Sequence, residues 1–391
     1  MKLIIQKKSN IGLLISQVLL CMACMNFLKR GSMLFLLFVL WSSFIIVLKS
    51  NYVALDKQII FPFFLSLSIA LSSIMYYDIT EVVKSLNYVF AFFVGYNLIC
   101  GSKQRLETSL HFITSIYIGF FIYLFLTYLK NNKIGFNKHY RILFEFWDGE
   151  IVAVTLIGLL CSVIIGYSFY GIIIQKSRVI KIISILSLGL VFLINMKTAT
   201  RTPFILFVCI YLMMGFFYFI NAKNKNKIKI IVLFFIFILI FLFIIFSNTF
   251  GIRDYIIESS VFKRIILEGI KTSRNNISDY YLEYFFDYLW GGKYIYLNLG
   301  LLAHNFILEA HDSYGIISTF SLIGIIFYFF INIFKLIEIR NKNTIIYLFI
   351  SMYVSIFVQM CLEPVFEGYP VLVMCFIFLH GMIAAYLKKG K

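Results

Sequence analysis

The chain has 391 residues, 61% of them hydrophobic and only 14% charged, with a formal net charge of +17 and a mean hydropathy of +0.92. Soluble domains run at about 45–50% apolar and about 25% charged, so a soluble globular fold is excluded. The basic excess does not signal nucleic acid, because most Lys and Arg fall in short clusters between long apolar runs, as membrane orientation requires.

Runs of about 17–25 apolar residues mark membrane-spanning helices, whereas barrel strands would read as roughly ten-residue alternations. The chain therefore predicts an all-α, polytopic fold of about twelve spans, a single integral membrane domain over 1–391. The first five spans lie near 11–28, 33–48, 59–76, 82–100 and 108–129. No small-residue cleavage site follows the first, which reads as a span and not as a secretory signal. A polar loop, 130–150, precedes spans near 151–174, 179–196, 202–221 and 228–247. A large loop, 248–313, separates the ninth span from the last three, near 314–336, 344–362 and 369–387. All seven cysteines fall inside apolar runs. Cys21 and Cys24 have CxxC spacing, but within a span they read as small buried hydrophobes and not as a redox or metal pair.

The positive loops set the orientation. With Lys2, Lys7 and Lys8 in the cytoplasm, alternate loops put more than half of the 35 basic residues on that side, but only Asp56, Glu107 and Glu338 of the 18 acids. Both long loops then face outward and both termini inward. No GxxxxGK[ST] nucleotide loop is present, so a reaction at the outer face needs a substrate that arrives already activated. Ionisable groups are nearly absent from the middle of the runs. That favours an outer-surface enzyme over a polysaccharide transporter or flippase, which would carry charges along a path through the membrane.

Several residues are placed for chemistry. Arg201, in MKTATRTPFI, stands at the outer mouth of the eighth span, with Pro203 in the first helical turn where its missing N–H costs nothing. It reads either as an interfacial snorkelling arginine or as part of an anion site. Thr198, Thr200 and Thr202 would add hydroxyls at a helix N-terminus that suits phosphate. Within the large loop, Phe262, Ile265, Ile266 and Ile270 have amphipathic helical spacing. Farther on, Tyr280 to Tyr288 form an aromatic run that ends in Gly291–Gly292, suited to a membrane interface or to stacking on sugars. The stretch AHNFILEAHDSYGI, 303–316, gathers His304, Glu309, His311 and Asp312. It predicts a short amphipathic helix at the membrane surface. Histidine titrates near neutrality and serves as a general base, which makes His304 the candidate. His304 and His311 are seven apart with no HExxH, so a metal site is not expected.

Together these residues resemble the O-antigen ligase/polymerase superfamily of bacterial membrane glycosyltransferases. The carrying motif is His304–Asn305, nine residues, Gly315, two residues, then Ser318, where the family pattern has Gly, Thr or Tyr. Thr200–Arg201–Thr202–Pro203 is similar to the family's arginine after a hydroxyl cluster, with Ile205 in place of its usual leucine. Arg274, ahead of the aromatic run and the glycine pair, and Arg141, before Phe144, Phe146 and Asp148, fit two further arginines. The likeness covers the second half of the chain in motifs and the first half in topology alone.

The resemblance implies an undecaprenyl-pyrophosphate-linked glycan as donor and, as product, an O-antigen or capsule polymer. The same donor and chemistry also fit a ligase that passes the glycan to lipid A–core. It implies His304 as catalytic base, with Arg201, Arg274 and Arg141 binding the pyrophosphate. Asn305, Glu309, His311, Asp312 and Gly315 would support the base or face the acceptor. The transfer would be inverting, with no metal and no cofactor. The partners would be membrane lipids and a chain-length regulator, with no nucleic acid, at the periplasmic face of the inner membrane.

Overall fold

The computed structural model describes residues 2–49, 53–75, 78–102, 105–134, 142–221 and 274–388. The chain folds as an all-α membrane protein. The long helices are α1 (Lys2–Cys24), α2 (Gly31–Lys49), α3 (Ile60–Met75), α4 (Ile79–Gly101) and α5 (Arg105–Ile134). A two-stranded hairpin follows, β1 (Ile142–Phe144) and β2 (Ile151–Ala153), antiparallel with Leu143 opposite Val152. Then come α6 (Thr155–Phe169, extended by a π-turn to Ile174), α7 (Arg178–Thr198) and α8 (Thr202–Asn221). Three short helices, α9 (Arg274–Glu283), α10 (Tyr294–Leu299) and α11 (Phe306–Tyr314), lead into α12 (Ile316–Glu338), α13 (Ile345–Met360) and α14 (Pro370–Lys388).

Among the described residues nine helices are long and apolar enough to cross a membrane, and Ile11–Cys24 and Ile345–Met360 are shorter apolar helices. These eleven coincide with predicted spans. The predicted span 228–247, the amphipathic stretch 262–270 and Arg141 lie outside the described residues. Two boundaries differ from expectation. The first span stops at Cys24, because Asn26, Leu28 and Lys29 all have positive φ and turn the chain sharply. The sixth begins at Thr155, because Ile151–Ala153 pair with β1 in place of helix.

Helices α6 and α14 form the centre and are buried along nearly their whole length. Helices α7 and α8 sit outside, exposing Ile182, Leu186, Ile205 and Leu212, as lipid-facing helices do. Lipid tails are as apolar as leucine, so helix pairing in a membrane depends on close contact between small residues. Glycine supplies that contact between α4 and α14. A Cβ on Gly95 would stand 2.2 Å from the Phe378 carbonyl oxygen, and one on Gly381 would stand 2.4 Å from that of Phe92.

The loops sort to two ends. At one end Asp56 pairs with Lys388 at 3.4 Å, and the Asn332 amide donates to Gln58. At the other, the Tyr369 hydroxyl donates to the Cys24 carbonyl and Asn26 donates to Glu145 in the hairpin. There too, Lys197 donates to Asn132 and Ser72 to the Ser313 carbonyl. Helices α9–α11, the α7–α8 turn and the α13–α14 loop therefore share one end of the helix layer.

Candidate functional site

The site is built around α11. Asn305, in extended backbone, caps it by accepting from the N–H groups of Ile307 (2.9 Å) and Leu308 (3.4 Å), which satisfies donors that an uncapped helix start leaves open. His304 immediately precedes the cap and is half-buried. Its Nδ1 lies 3.1 Å from Oε2 of Glu363, a carboxylate with no exposed surface. Glu363 follows α13, where its N–H donates to the Gln359 carbonyl at 3.1 Å.

One turn along α11, Glu309 faces the same α13–α14 loop. Its carboxylate accepts the consecutive N–H groups of Val365 (2.6 Å), Phe366 (3.1 Å) and Glu367 (2.7 Å). The Lys293 ammonium pairs with Glu367 from the other side. Two attachments therefore join α11 and its leading residues to the loop that carries Glu363: the His304–Glu363 pair and the three-bond Glu309 clamp. Burial pushes the Glu309 carboxyl up to about 7, outweighing three N–H bonds that favour its ionised form.

His311 and Asp312 tie the preceding segment to α11. The Asp312 carboxylate accepts from Ile295 and Tyr296 at 2.9 and 3.1 Å and so caps α10 from outside, while its carbonyl accepts from Lys293. Burial raises the Asp312 carboxyl and lowers the His311 imidazole from their ordinary ranges. The neutral His311 ring donates from Nε2 to the Phe285 carbonyl (2.7 Å) and accepts at Nδ1 from the Thr319 hydroxyl (3.0 Å). It also stacks on the Phe285 ring with centroids 3.7 Å apart.

The glycines of the aromatic run and of the histidine motif meet at a chain crossing. Gly291 (φ 80°) and Gly315 (φ 83°) both occupy the left-handed region. A Cβ on Gly291 would stand 2.7 Å from the Gly315 nitrogen, and one on Gly315 would stand 2.7 Å from the Leu289 carbonyl oxygen. No other residue fits either position. The Ser318 hydroxyl donates within 2.6–2.8 Å of the Gly315 and Ala310 carbonyls, locking the step from α11 into α12.

Helix α11 is packed within the protein. Phe306 and Ala310 are buried, and so are its polar groups Glu309, His311 and Asp312, which find partners in the N–H groups of the α13–α14 loop and of α10, the Phe285 carbonyl and the Thr319 hydroxyl. Of the predicted site residues, His304, Asn305, Glu309, His311, Asp312 and Gly315 come together here. Arg201 stands at the same end, half-buried, between the left-handed Ala199 cap of α7 and the start of α8. Its carbonyl accepts from Phe204 at 3.1 Å. The Thr198 and Thr200 hydroxyls are buried and bond one another. Arg274 begins α9.

Sequence reasoning missed two carboxylates. Glu363 lies 59 positions from His304, and the only hint was an acid between two apolar runs on the outward side. Glu145 is buried in the hairpin, accepting from Tyr123 (3.0 Å) and Asn26 (3.1 Å), with its carboxyl raised by burial. Beside it the Lys29 ammonium, 2.8 Å away, holds the Asp148 carboxyl below the usual range. Among the described residues no three side chains of His, Cys, Asp or Glu converge as metal ligands. No protein-family model matches the chain, and no curated protein matches it.

Proposed function

We propose that this chain is a membrane glycosyltransferase of the O-antigen ligase/polymerase type that polymerises undecaprenyl-pyrophosphate-linked repeat units. In this reading it has twelve spans with a large outer loop between the ninth and tenth. It lies in the bacterial inner membrane with both termini cytoplasmic and the site facing the periplasm. The observation that carries the reading is the half-buried His304 imidazole held by the fully buried Glu363 carboxylate. A base oriented by a second group is the arrangement that activates a hydroxyl nucleophile.

With its proton on Nδ1, His304 donates to Glu363 and keeps the Nε2 lone pair free. Nε2 takes the proton of an acceptor sugar hydroxyl as that oxygen attacks C1 of the donor sugar. The bond from C1 to the pyrophosphate oxygen breaks, and its electron pair leaves with undecaprenyl pyrophosphate. Attack opposite the leaving group inverts C1. Glu363 offsets the positive charge that forms on the imidazole, and Arg201, Arg274 and Arg141 are the candidates to neutralise the departing pyrophosphate. Base catalysis of this kind contributes roughly 10²–10⁴-fold.

Deleting the gene and separating the surface glycans on a gel tests the reading. Lipid A–core capped with single repeat units, restored to long chains by the wild-type gene, is the expected result. Loss of all surface glycan, with lipid-linked polymer accumulating, assigns the ligase reaction instead. Unchanged glycans would sink both.

A further inference from the structure

The segment from α9 to α10 has two apolar faces. Ile277, Tyr281, Ile295 and Ala303 pack on one another on the inner side. On the outer side Leu282, Phe286, Trp290, Leu297 and Leu301 are exposed, Phe286 by 76%, Trp290 by 72% and Leu297 by 68%. None of these residues belongs to a helix able to span a membrane. So many large exposed side chains within twenty positions mark a surface with a partner.

The partner is indicated by continuity. The Leu289 carbonyl accepts the Ile316 N–H at 2.8 Å, so the patch is bonded to the first residue of α12. From that point α12 exposes Phe320, Ile323 and Phe327 along its length, the surface of a spanning helix turned to lipid. The patch thus begins where the lipid-facing stripe of α12 ends, at the level where hydrocarbon gives way to headgroups. Trp and Tyr concentrate at that level. Glu283 and Asp287 are also exposed, so attraction to anionic lipid is not what would hold the segment.

We infer that α9, α10 and the turn between them form an interfacial foot, seated in the headgroup–acyl boundary of the phospholipid bilayer through Phe286, Trp290 and Leu297. The foot is bonded to α11. The N–H groups of Gly292 and Lys293 donate to the Ser313 and Asp312 carbonyls, and Asp312 caps α10. It therefore fixes the depth of His304 relative to the lipid surface. This inference is independent of the glycosyl-transfer reading.

The test uses the full chain in phosphatidylcholine liposomes. Emission of wild type minus Trp290→Phe isolates Trp290 from Trp41 and Trp147. Lipid brominated near the carbonyl end of its chains should quench that difference roughly twofold or more, and lipid brominated near the methyl end should quench it less. Leu297→Trp in the Trp290→Phe background supplies a second reporter with the same expected order. Two results overturn the inference. One is quenching by acrylamide in water with none by bromolipid. The other is protection from both that disappears on dilution, which would mean that a second copy covers the patch.

Discussion

Replacing Glu309 by alanine should release the loop that carries Glu363. The carboxylate holds three consecutive N–H groups, of which those of Val365 and Phe366 belong to buried residues while Glu367 is exposed. A buried donor left without an acceptor costs about 1–3 kcal/mol. Counting the two buried donors, and leaving Glu367 to water, Glu309→Ala should lower the local stability of the loop by roughly 2–6 kcal/mol. At 1.4 kcal/mol per tenfold, that corresponds to roughly 30- to 20,000-fold faster amide exchange. Glu309→Gln keeps one carbonyl oxygen for the Val365 and Phe366 donors and loses the bond to Glu367, so its effect should be much smaller. Hydrogen exchange read by mass spectrometry on the peptide covering 362–369 makes the measurement, with a peptide from α6 as internal control. Equal exchange in wild type and Glu309→Ala would refute the clamp. Equal acceleration in both peptides would show global unfolding and refute the local role.

Three further outcomes are expected. The Glu309 carboxyl sits at about 7 in the fold, against an ordinary 4.5, because of burial. The folded state therefore binds more protons than the unfolded one between those values, and stability falls as pH rises through that window. The thermal midpoint of wild type relative to Glu309→Gln should fall from pH 5 to pH 7.5 and level off above pH 8, and a rise would contradict the assignment. Gly315→Ala places a Cβ 2.7 Å from the Leu289 carbonyl oxygen at φ 83° and should abolish accumulation of folded protein. Ser318→Ala should cost only about 1 kcal/mol, and comparable protein levels in the two variants would refute the chain crossing. Arg201→Lys should lose much of the proposed polymerase activity, because a point charge does not replace a bidentate fork; wild-type activity in that variant would make Arg201 a snorkelling residue.

The helices were legible because their signal is the apolar run itself, and membrane insertion reads the same property. Helix ends were less legible. Nothing in the apolarity of Phe27 and Leu28 announces the left-handed turn at Asn26, and Ile151–Ala153 are β-branched or small residues that suit a strand as well as a helix. The histidine motif was legible in spacing, since Asn305 caps α11 and Gly315 makes a crossing that only glycine permits. The burial of α11 was not legible. An amphipathic pattern shows that a helix has two faces, but here Phe306 and Ala310 are buried together with Glu309 and Asp312, which take the N–H groups of 365–367 and 295–296. Those partners are backbone groups of the α13–α14 loop and of the first turn of α10, with no distinguishing side-chain signal. The same distance along the chain hid Glu363 from His304.

The most direct measurement is turnover of a lipid-linked repeat unit by purified protein in proteoliposomes, comparing His304→Ala, Glu363→Gln and the double variant. The account predicts a loss of about 10²–10⁴-fold or more for His304→Ala. It predicts a large part of that loss for Glu363→Gln, and a double variant no worse than His304→Ala because Glu363 acts through His304. Wild-type turnover in His304→Ala, or losses that simply multiply in the double variant, would contradict it.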